Sequence, residues 1–245
     1  MLGRLHYIAS YKGLDDPVRA LALISLVLDA GVPCVQLRAK DCSDRQRYEI
    51  SERAVGLCHE AGASCIINDR VDIALAVGAD GAHVGPEDLD VAAARRVLGE
   101  RPVLGASART AEDGRKAVAA GASYLGVGPC YPTSTKDGLP NPIGAAGLAV
   151  VAAAVALPVL AIGGVTADRI PELLEAGAYG IAVVGAIAMA SDPAAAAREL
   201  LANLGRATAA AAAPPAPHVP ATRSASATSV ASATSVASAT SAGRP

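Results

Sequence analysis

Gln36-Leu37-Arg38-Ala39-Lys40-Asp41 closes an otherwise apolar run. Two-residue alternation sends Gln36, Arg38 and Lys40 to one face and turns Leu37 and Ala39 to the other. Two cations and an amide on one face suit an anionic ligand; a solvated strand end is the plainer alternative. Asn68-Asp69-Arg70 and Gly85-Pro86-Glu87-Asp88 supply a sparse carboxylate pair, Asp69 and Asp88. Mg²⁺ accepts one or two such carboxylates and completes its octahedron with waters and substrate phosphates, so the pair beside Arg and Lys fits a diphosphate site. For each Asp taken singly, the alternative is capping of a helix that starts near Val71 or Leu89.

The stretch from Gly126 to Asp137 contains Thr133, Ser134, Thr135 and Lys136, a hydroxyl-rich run ending near a cation, as in an anion-binding lid. Ile162-Gly163-Gly164-Val165 and Val183-Val184-Gly185-Ala186 can bring bare backbone N–H groups close to a phosphate. A tight turn is the alternative for either one.

The elements that must hold these groups can be read from periodicity. Short apolar or β-branched runs are expected as strands at Leu5 to Ser10, Cys34 to Arg38, Cys65 to Asn68, Gly81 to Val84, Val103 to Ser107, Tyr124 to Val127, Val159 to Ile162 and Gly180 to Val184. Between and after them, Arg45 to Ala61, Val91 to Leu98, Ala111 to Ala120 and Pro193 to Leu204 carry apolar residues at helical spacing. Eight βα units in about 200 residues predict an α/β fold, a (β/α)8 TIM barrel over residues 1–205. In that fold the loops after the strands share one face, and every group named above lies at the carboxyl end of a strand or on the loop that follows it. An open doubly wound sheet loses support because no G-x-G-x-x-G turn follows the first strand. Three triads, Ala30 to Val32, Ala120 to Ala122 and Ala176 to Ala178, place Gly where a helix ends.

Composition limits the partners. The 245 residues carry 21 Lys and Arg against 23 Asp and Glu, with no Phe or Trp, so a dedicated nucleic-acid binder is not expected. Five scattered cysteines without a C-x-x-C pair, and no leader-like N-terminus, predict a reduced, cytoplasmic protein. The densest apolar window, Ala20 to Gly31, is broken by Ser25 and Asp29 and is too short to span a bilayer, so no membrane partner is expected. After Gly205 the chain becomes Ala/Pro/Ser/Thr-rich, and the hexamer Ala-Thr-Ser-Val-Ala-Ser repeats from Ala227 to Ser238. Residues 206–245 are therefore expected to be a low-complexity, disordered tail. That segment holds three Arg and no acid, which leaves residues 1–205 with a net charge of −5.

No nucleophilic triad emerges. Ser107 has no His near it in sequence; His6 and His59 fall in a strand and a helix, and His218 in the tail. His83, inside a strand, is expected as a hydrogen-bonded core imidazole, with catalysis the alternative, and Cys65 and Cys130 as small buried or loop thiols.

From about Leu5 to Ala190 the chain resembles the thiamine-phosphate synthase family. The likeness rests on Gln36 to Lys40, Ile66 to Arg70, Gly85 to Asp88, Gly105 to Ser107, Gly126 to Pro129, Thr133 to Lys136 and Ala161 to Val165 taken together. It implies coupling of hydroxymethylpyrimidine diphosphate to a thiazole phosphate, carboxylated or not, with release of pyrophosphate and with Mg²⁺ as cofactor. It also implies that Gln36, Leu37, Arg38, Ala39, Lys40, Asn68, Ser107 and Lys136 hold the pyrimidine diphosphate. Ser107, Arg38, Lys40 and Lys136 would then lie at the reacting centre, with Asp69 and Asp88 on the metal. Thr133, Ser134, Thr135, Gly164, Val184 and Gly185 would hold the thiazole phosphate. The sequence departs from the family at Ala39, often Glu, at Ala108-Arg109, where a His often stands, and at Gly185, often Ser.

A benzylic-type diphosphate can ionise before the thiazole nitrogen attacks, so no enzymic nucleophile is required. The competing expectations are a thiazole tautomerase-like isomerase, which would need neither the diphosphate cations nor the Asp pair, and a non-catalytic phosphate-ligand sensor.

Overall fold

In the computed structural model, which describes residues 2–12, 17–135, 138 and 140–212, the apolar runs form eight strands. These are Leu5–Lys12 (β1), Cys34–Lys40 (β2), Ser64–Asn68 (β3), Gly81–Val84 (β4), Val103–Ala108 (β5), Tyr124–Val127 (β6), Val159–Ile162 (β7) and Gly180–Val183 (β8). All pair in parallel, and β8 returns to β1, closing the barrel. β1 and β2 run two residues past their expected ends because their pairing continues to Lys12 and Lys40. That extension lifts Arg38 and Lys40 to the rim.

The helices are Pro17–Asp29 (α1), Asp44–Glu60 (α2), Val71–Ala76 (α3), Val91–Leu98 (α4), Ala111–Ala119 (α5), Gly144–Ala153 (α6), Ile170–Glu175 (α7), Gly185–Ala188 (α8) and Pro193–Ala212 (α9), with a 3-10 turn at Ala167–Arg169 before α7. Their starts follow local chemistry. Ser43 and Gln46 form a reciprocal capping box at α2, and Thr110 and Asp113 do the same at α5. The glycine of each Ala-Gly triad, Gly31, Gly121 and Gly177, takes a left-handed φ of 92–94° where α1, α5 and α7 end. α9 is a correction: it continues past Leu204 and Gly205 to Ala212, because Ala, the strongest helix former, fills most of its last turns. The rest of the expected tail, 213–245, lies outside the described residues. No helix among the described residues is long and apolar enough to cross a membrane.

Alternation divides each strand. Leu37, Ile67, Val84, Leu104, Leu125, Ala161 and Ile181 point outward and join the helices in one buried core. The register carries the opposite set inward, and Asn68, His83, Gly105 and Tyr124 stand side by side on four neighbouring strands. Gly105 is the gap in that row. A Cβ there would lie 2.3 Å from Tyr124 Cζ and 2.4 Å from His83 Nδ1. Without one, the His83 ring and the Tyr124 hydroxyl meet across the glycine at 3.1 Å. His6 packs edge-on against Tyr124 from below, ring centroids 5.3 Å apart.

Two measurements test this packing. Gly105→Ala should cost at least the roughly 1–3 kcal/mol of overpacking, whereas Gly56→Ala, exposed on α2 with nothing within 4 Å of its Cβ, should stabilise by up to about 1 kcal/mol. Equal melting temperatures for the two variants would refute the steric account. Burial also lowers the pKa of His83 to about 4 and of His6 to about 3, from 6.5. The folded chain therefore refuses protons that the unfolded chain accepts below pH 6.5. Stability contributed by the neutral rings is fully present above pH 6.5 and is lost as pH falls toward 4, by about 1 kcal/mol per pH unit for each ring. His83→Gln should flatten that decline in thermal melts between pH 6.5 and 4; an unchanged slope would show that the ring is already charged.

Candidate active site

The carboxyl ends of all eight strands open on one rim, and the polar groups gather there. On β2 the lumen-facing residues rise in order: Gln36 is buried, Arg38 is half-buried and donates from Nη1 to Ser10 Oγ at 3.2 Å, and Lys40 reaches the mouth. Leu37 and Ala39 point the other way, into the core between barrel and helices, so that segment presents three side chains to the lumen and not five. α2 braces the strand end from outside: Arg47 donates to the Ala39 carbonyl at 2.9 Å and to that of Cys42 at 3.3 Å.

Lys40 forms an ion pair with Asp69 Oδ2. Asp69 ends the turn after β3 in a left-handed conformation, φ 66°, its N–H bonded to the His83 carbonyl at 2.8 Å. Its carboxyl lies within hydrogen-bonding reach of Asp88. Burial first and the Asp88 carboxyl next raise the Asp69 pKa, while the bond to Lys40 opposes them. Asp88 Oδ2 in turn accepts from the Gly85 N–H at 2.8 Å.

Neither carboxylate caps a helix. Arg70 occupies the N-cap of α3 without a side-chain capping bond, and Asp90, not Asp88, caps α4 by accepting from Ala92 and Ala93. The capping alternative therefore fails for both. Two adjacent carboxylates repel unless a proton or cation lies between them. A pair of hard oxygen donors is a set Mg²⁺ accepts, whereas among the described residues no group of three or more His, Cys, Asp or Glu is arranged around a metal position. A cleft of about 370 Å³ borders the pair, with Val71, Leu89 and Val97 as its apolar lining.

Ser107 was expected without a histidine. The barrel supplies one: His83 Nε2 lies 3.0 Å from Ser107 Oγ, and Nδ1 faces the Tyr124 hydroxyl. The Tyr124 hydroxyl also bonds the Gln36 side chain, and burial pushes its pKa well up. Gln36, Tyr124 and His83 thus form one buried polar chain that ends at the exposed Ser107 on the rim. His83 is neutral here, and its second nitrogen meets a phenol rather than a carboxylate, so the pair is not a charged nucleophilic triad. Tyr124 escaped the sequence reading. The available signal was alternation: with Ala82 and Val84 outward, His83 must face inward, and a glycine on the neighbouring strand makes room for a ring.

The opposite side of the rim is built from the β6, β7 and β8 loops. Thr133 Oγ1 and Thr135 Oγ1 lie 3.0 Å apart, and Ser134 is exposed beside them. Thr135 packs over Gly185, the first residue of α8; a Cβ there would lie 3.4 Å from Thr135 Cγ2. Gly163 and Gly164 both have left-handed φ, 88° and 63°. A Cβ on Gly164 would lie 2.5 Å from the Pro132 carbonyl oxygen, so this glycine seats the β6 loop against β7 as well as leaving backbone bare. Backbone bonds from Cys130 to Ile162 and from Tyr131 to Gly163 continue the β6–β7 pairing into the loop, and Arg109 ties the loop's far end through the Asn141 carbonyl. Val184 leads into α8 beside Gly185. Lys136 lies outside the described residues. Cys65 and Cys130 are both buried, and burial raises the Cys130 thiol to about 11.

Similarity to known proteins runs over this same region. The family model described as thiamine monophosphate synthase matches residues 7–187. A thiamine-phosphate synthase of Salinispora arenicola is 56% identical over 194 residues, 79% of this chain and 93% of that protein. The Salinispora tropica thiamine-phosphate synthase is 53% identical over 202 residues, 82% and 96% of the two chains. A solved structure, the thiamine phosphate pyrophosphorylase from Pyrococcus furiosus, superposes with a TM-score of 0.74 at 33% identity, covering 83% of this chain and 96% of that one. With the matched span enclosing every described rim residue, the chain belongs to the thiamine monophosphate synthase family.

Proposed function

We propose that the protein joins 4-amino-2-methyl-5-(diphosphomethyl)pyrimidine to a thiazole ethyl phosphate, forming thiamine phosphate and releasing pyrophosphate with the aid of Mg²⁺. The observation that carries this reading is the meeting of Lys40, Asp69 and Asp88 on one side of the mouth. A tautomerase would have no use for a cation and a carboxylate pair placed together. Asp69 and Asp88 would hold Mg²⁺, which when bound supplies charge neutralisation for a diphosphate leaving group.

The remaining work falls to the chain's own residues. Arg38, Lys40 and Lys136 hold the diphosphate and stabilise its charge as the C–O bond breaks. Gln36 and Asn68 orient the pyrimidine in the lumen. Ser107, bonded to neutral His83, offers a hydroxyl at the reacting carbon without becoming a nucleophile. Thr133, Thr135, Gly164 and the start of α8 hold the thiazole phosphate so that its ring nitrogen approaches the electron-poor methylene carbon. Both substrates load from one mouth, because both sets of groups crown the same end of the barrel. A cytoplasmic setting accords with five cysteines that are all free thiols.

The direct test is purified protein with both substrates and Mg²⁺: thiamine phosphate and pyrophosphate should appear in equal amounts, and absence of product would sink the proposal. Asp69→Asn and Asp88→Asn refine it. Asn tolerates the left-handed turn at 69 and can accept the Gly85 N–H at 88, so stability should change by no more than about 1 kcal/mol. Turnover at limiting Mg²⁺ should fall by roughly 10–100-fold, the scale on which perturbed metal sites lose affinity; unchanged activity in a Mg²⁺ titration would exclude ligation.

Gly185→Ser tests the other side. Its Cβ would meet Met189 Sδ at 3.2 Å, but Met189 is 78% exposed and can swing away. The added hydroxyl should lower KM for the thiazole phosphate by roughly tenfold or more, as a hydrogen bond to a charged group does. An unchanged KM would put the phosphate elsewhere.

A further inference from the structure

Tyr131, Arg169 and Glu172 form a cluster that none of the proposed substrate contacts uses. The Arg169 guanidinium carbon lies 4.0 Å above the Tyr131 ring, and its Nη1 donates to the Gly164 carbonyl at 2.6 Å. The Tyr131 hydroxyl donates to Glu172 Oε2 at 3.0 Å, and the Tyr131 N–H bonds the Gly163 carbonyl at 3.0 Å. One side chain on the 3-10 turn and one on α7 thus grip both the β6 loop and the β7 loop.

The geometry points to Arg169 and Tyr131 as positioning residues that lock the two walls of the thiazole-phosphate cradle, the Thr133–Thr135 hydroxyls and the Gly164 turn, in register. The inference rests on the thiazole phosphate being held there. Gly164 needs such a lock. Its φ of 63° and its lack of a side chain give it freedom to turn, and it sits where a Cβ would be 2.9 Å from Tyr131 Cβ. A peptide is planar, so fixing the Gly164 carbonyl on Arg169 also fixes the direction of the Val165 N–H. Thr133 is two residues beyond Tyr131, so the ring under the guanidinium sets where the hydroxyl pair begins. A cation over an aromatic face, joined to a charge-assisted bond, makes a stiff link rather than a solvated surface pair. The diphosphate groups on β2 to β4 share none of these contacts, and Lys136, next to Thr135 in sequence, is the one diphosphate group on the clamped segment, so loosening the clamp should affect the thiazole phosphate far more than the diphosphate.

The test compares Arg169→Met, Tyr131→Leu, their double mutant and the conservative Arg169→Lys with wild type in the full chain. KM for the thiazole phosphate, and its Kd by titration calorimetry, should rise roughly tenfold in each single variant. KM for the pyrimidine diphosphate should stay within about twofold. The double mutant should be little worse than either single, because the two side chains act as one unit, and Arg169→Lys should recover part of the loss. Should Tyr131→Leu fail to fold, Tyr131→Phe, which removes only the bond to Glu172, should still raise the thiazole KM by roughly two- to threefold. A parallel rise in both KM values, or lower melting temperatures with both KM values unchanged, would overturn the clamp. Wild-type protein that makes no thiamine phosphate overturns the reaction instead, and the calorimetric Kd values then decide the clamp alone.

Discussion

A barrel of eight parallel strands has room inside for very few side chains, and the way that narrow lumen is filled governs the rim above it. Closure forces every strand to alternate, one residue to the helices and one to the axis. In this protein the axial row at β3 to β6 is polar, and Gly105 gives up its side chain so that His83 and Tyr124 can face each other. The contact holds His83 upright, and His83 then holds Ser107. Burial keeps the ring neutral, so the chain of hydrogen bonds conveys position to the rim without adding charge.

The charges of the site stand higher, where solvent and substrate reach them. Lys40 and Asp69 neutralise one another in part, and the Asp88 carboxyl lies within hydrogen-bonding reach of Asp69. Two carboxyls held this close are a set that the proposed divalent cation would suit. The other half of the rim uses hydroxyls and bare backbone, which suits a phosphate monoester more than a diphosphate. The division matches a reaction in which one phosphorylated partner departs as pyrophosphate and the other keeps its phosphate.

Much of this could be read from residue order. Alternation along Gln36 to Lys40 already separates the lumen-facing trio from Leu37 and Ala39, and the triads around Gly31, Gly121 and Gly177 mark where helices stop. The end of α9 could not be read in the same way. Gly205 looks like a boundary because composition changes there, yet Ala is equally at home in a low-complexity run and in a helix, and the helix continues to Ala212.

What the sequence determined by itself is therefore whatever depends on neighbours along the chain: the eight βα units, the helix-ending glycines at Gly31, Gly121 and Gly177, the rim position of Asp69 and Asp88, and the family likeness carried by short motifs. Tertiary structure decided what depends on neighbours across strands. It joined His83 to Ser107 over 24 residues of sequence, placed Asp69 against Lys40 and Asp88, and set Arg169 over Tyr131 and against Gly164. Whether Asp88 capped a helix or faced another carboxylate was a question of which atoms the closed barrel brings within a few ångströms. Spacing along the chain fixes the side of a strand on which a group stands, but only register between strands fixes what it meets.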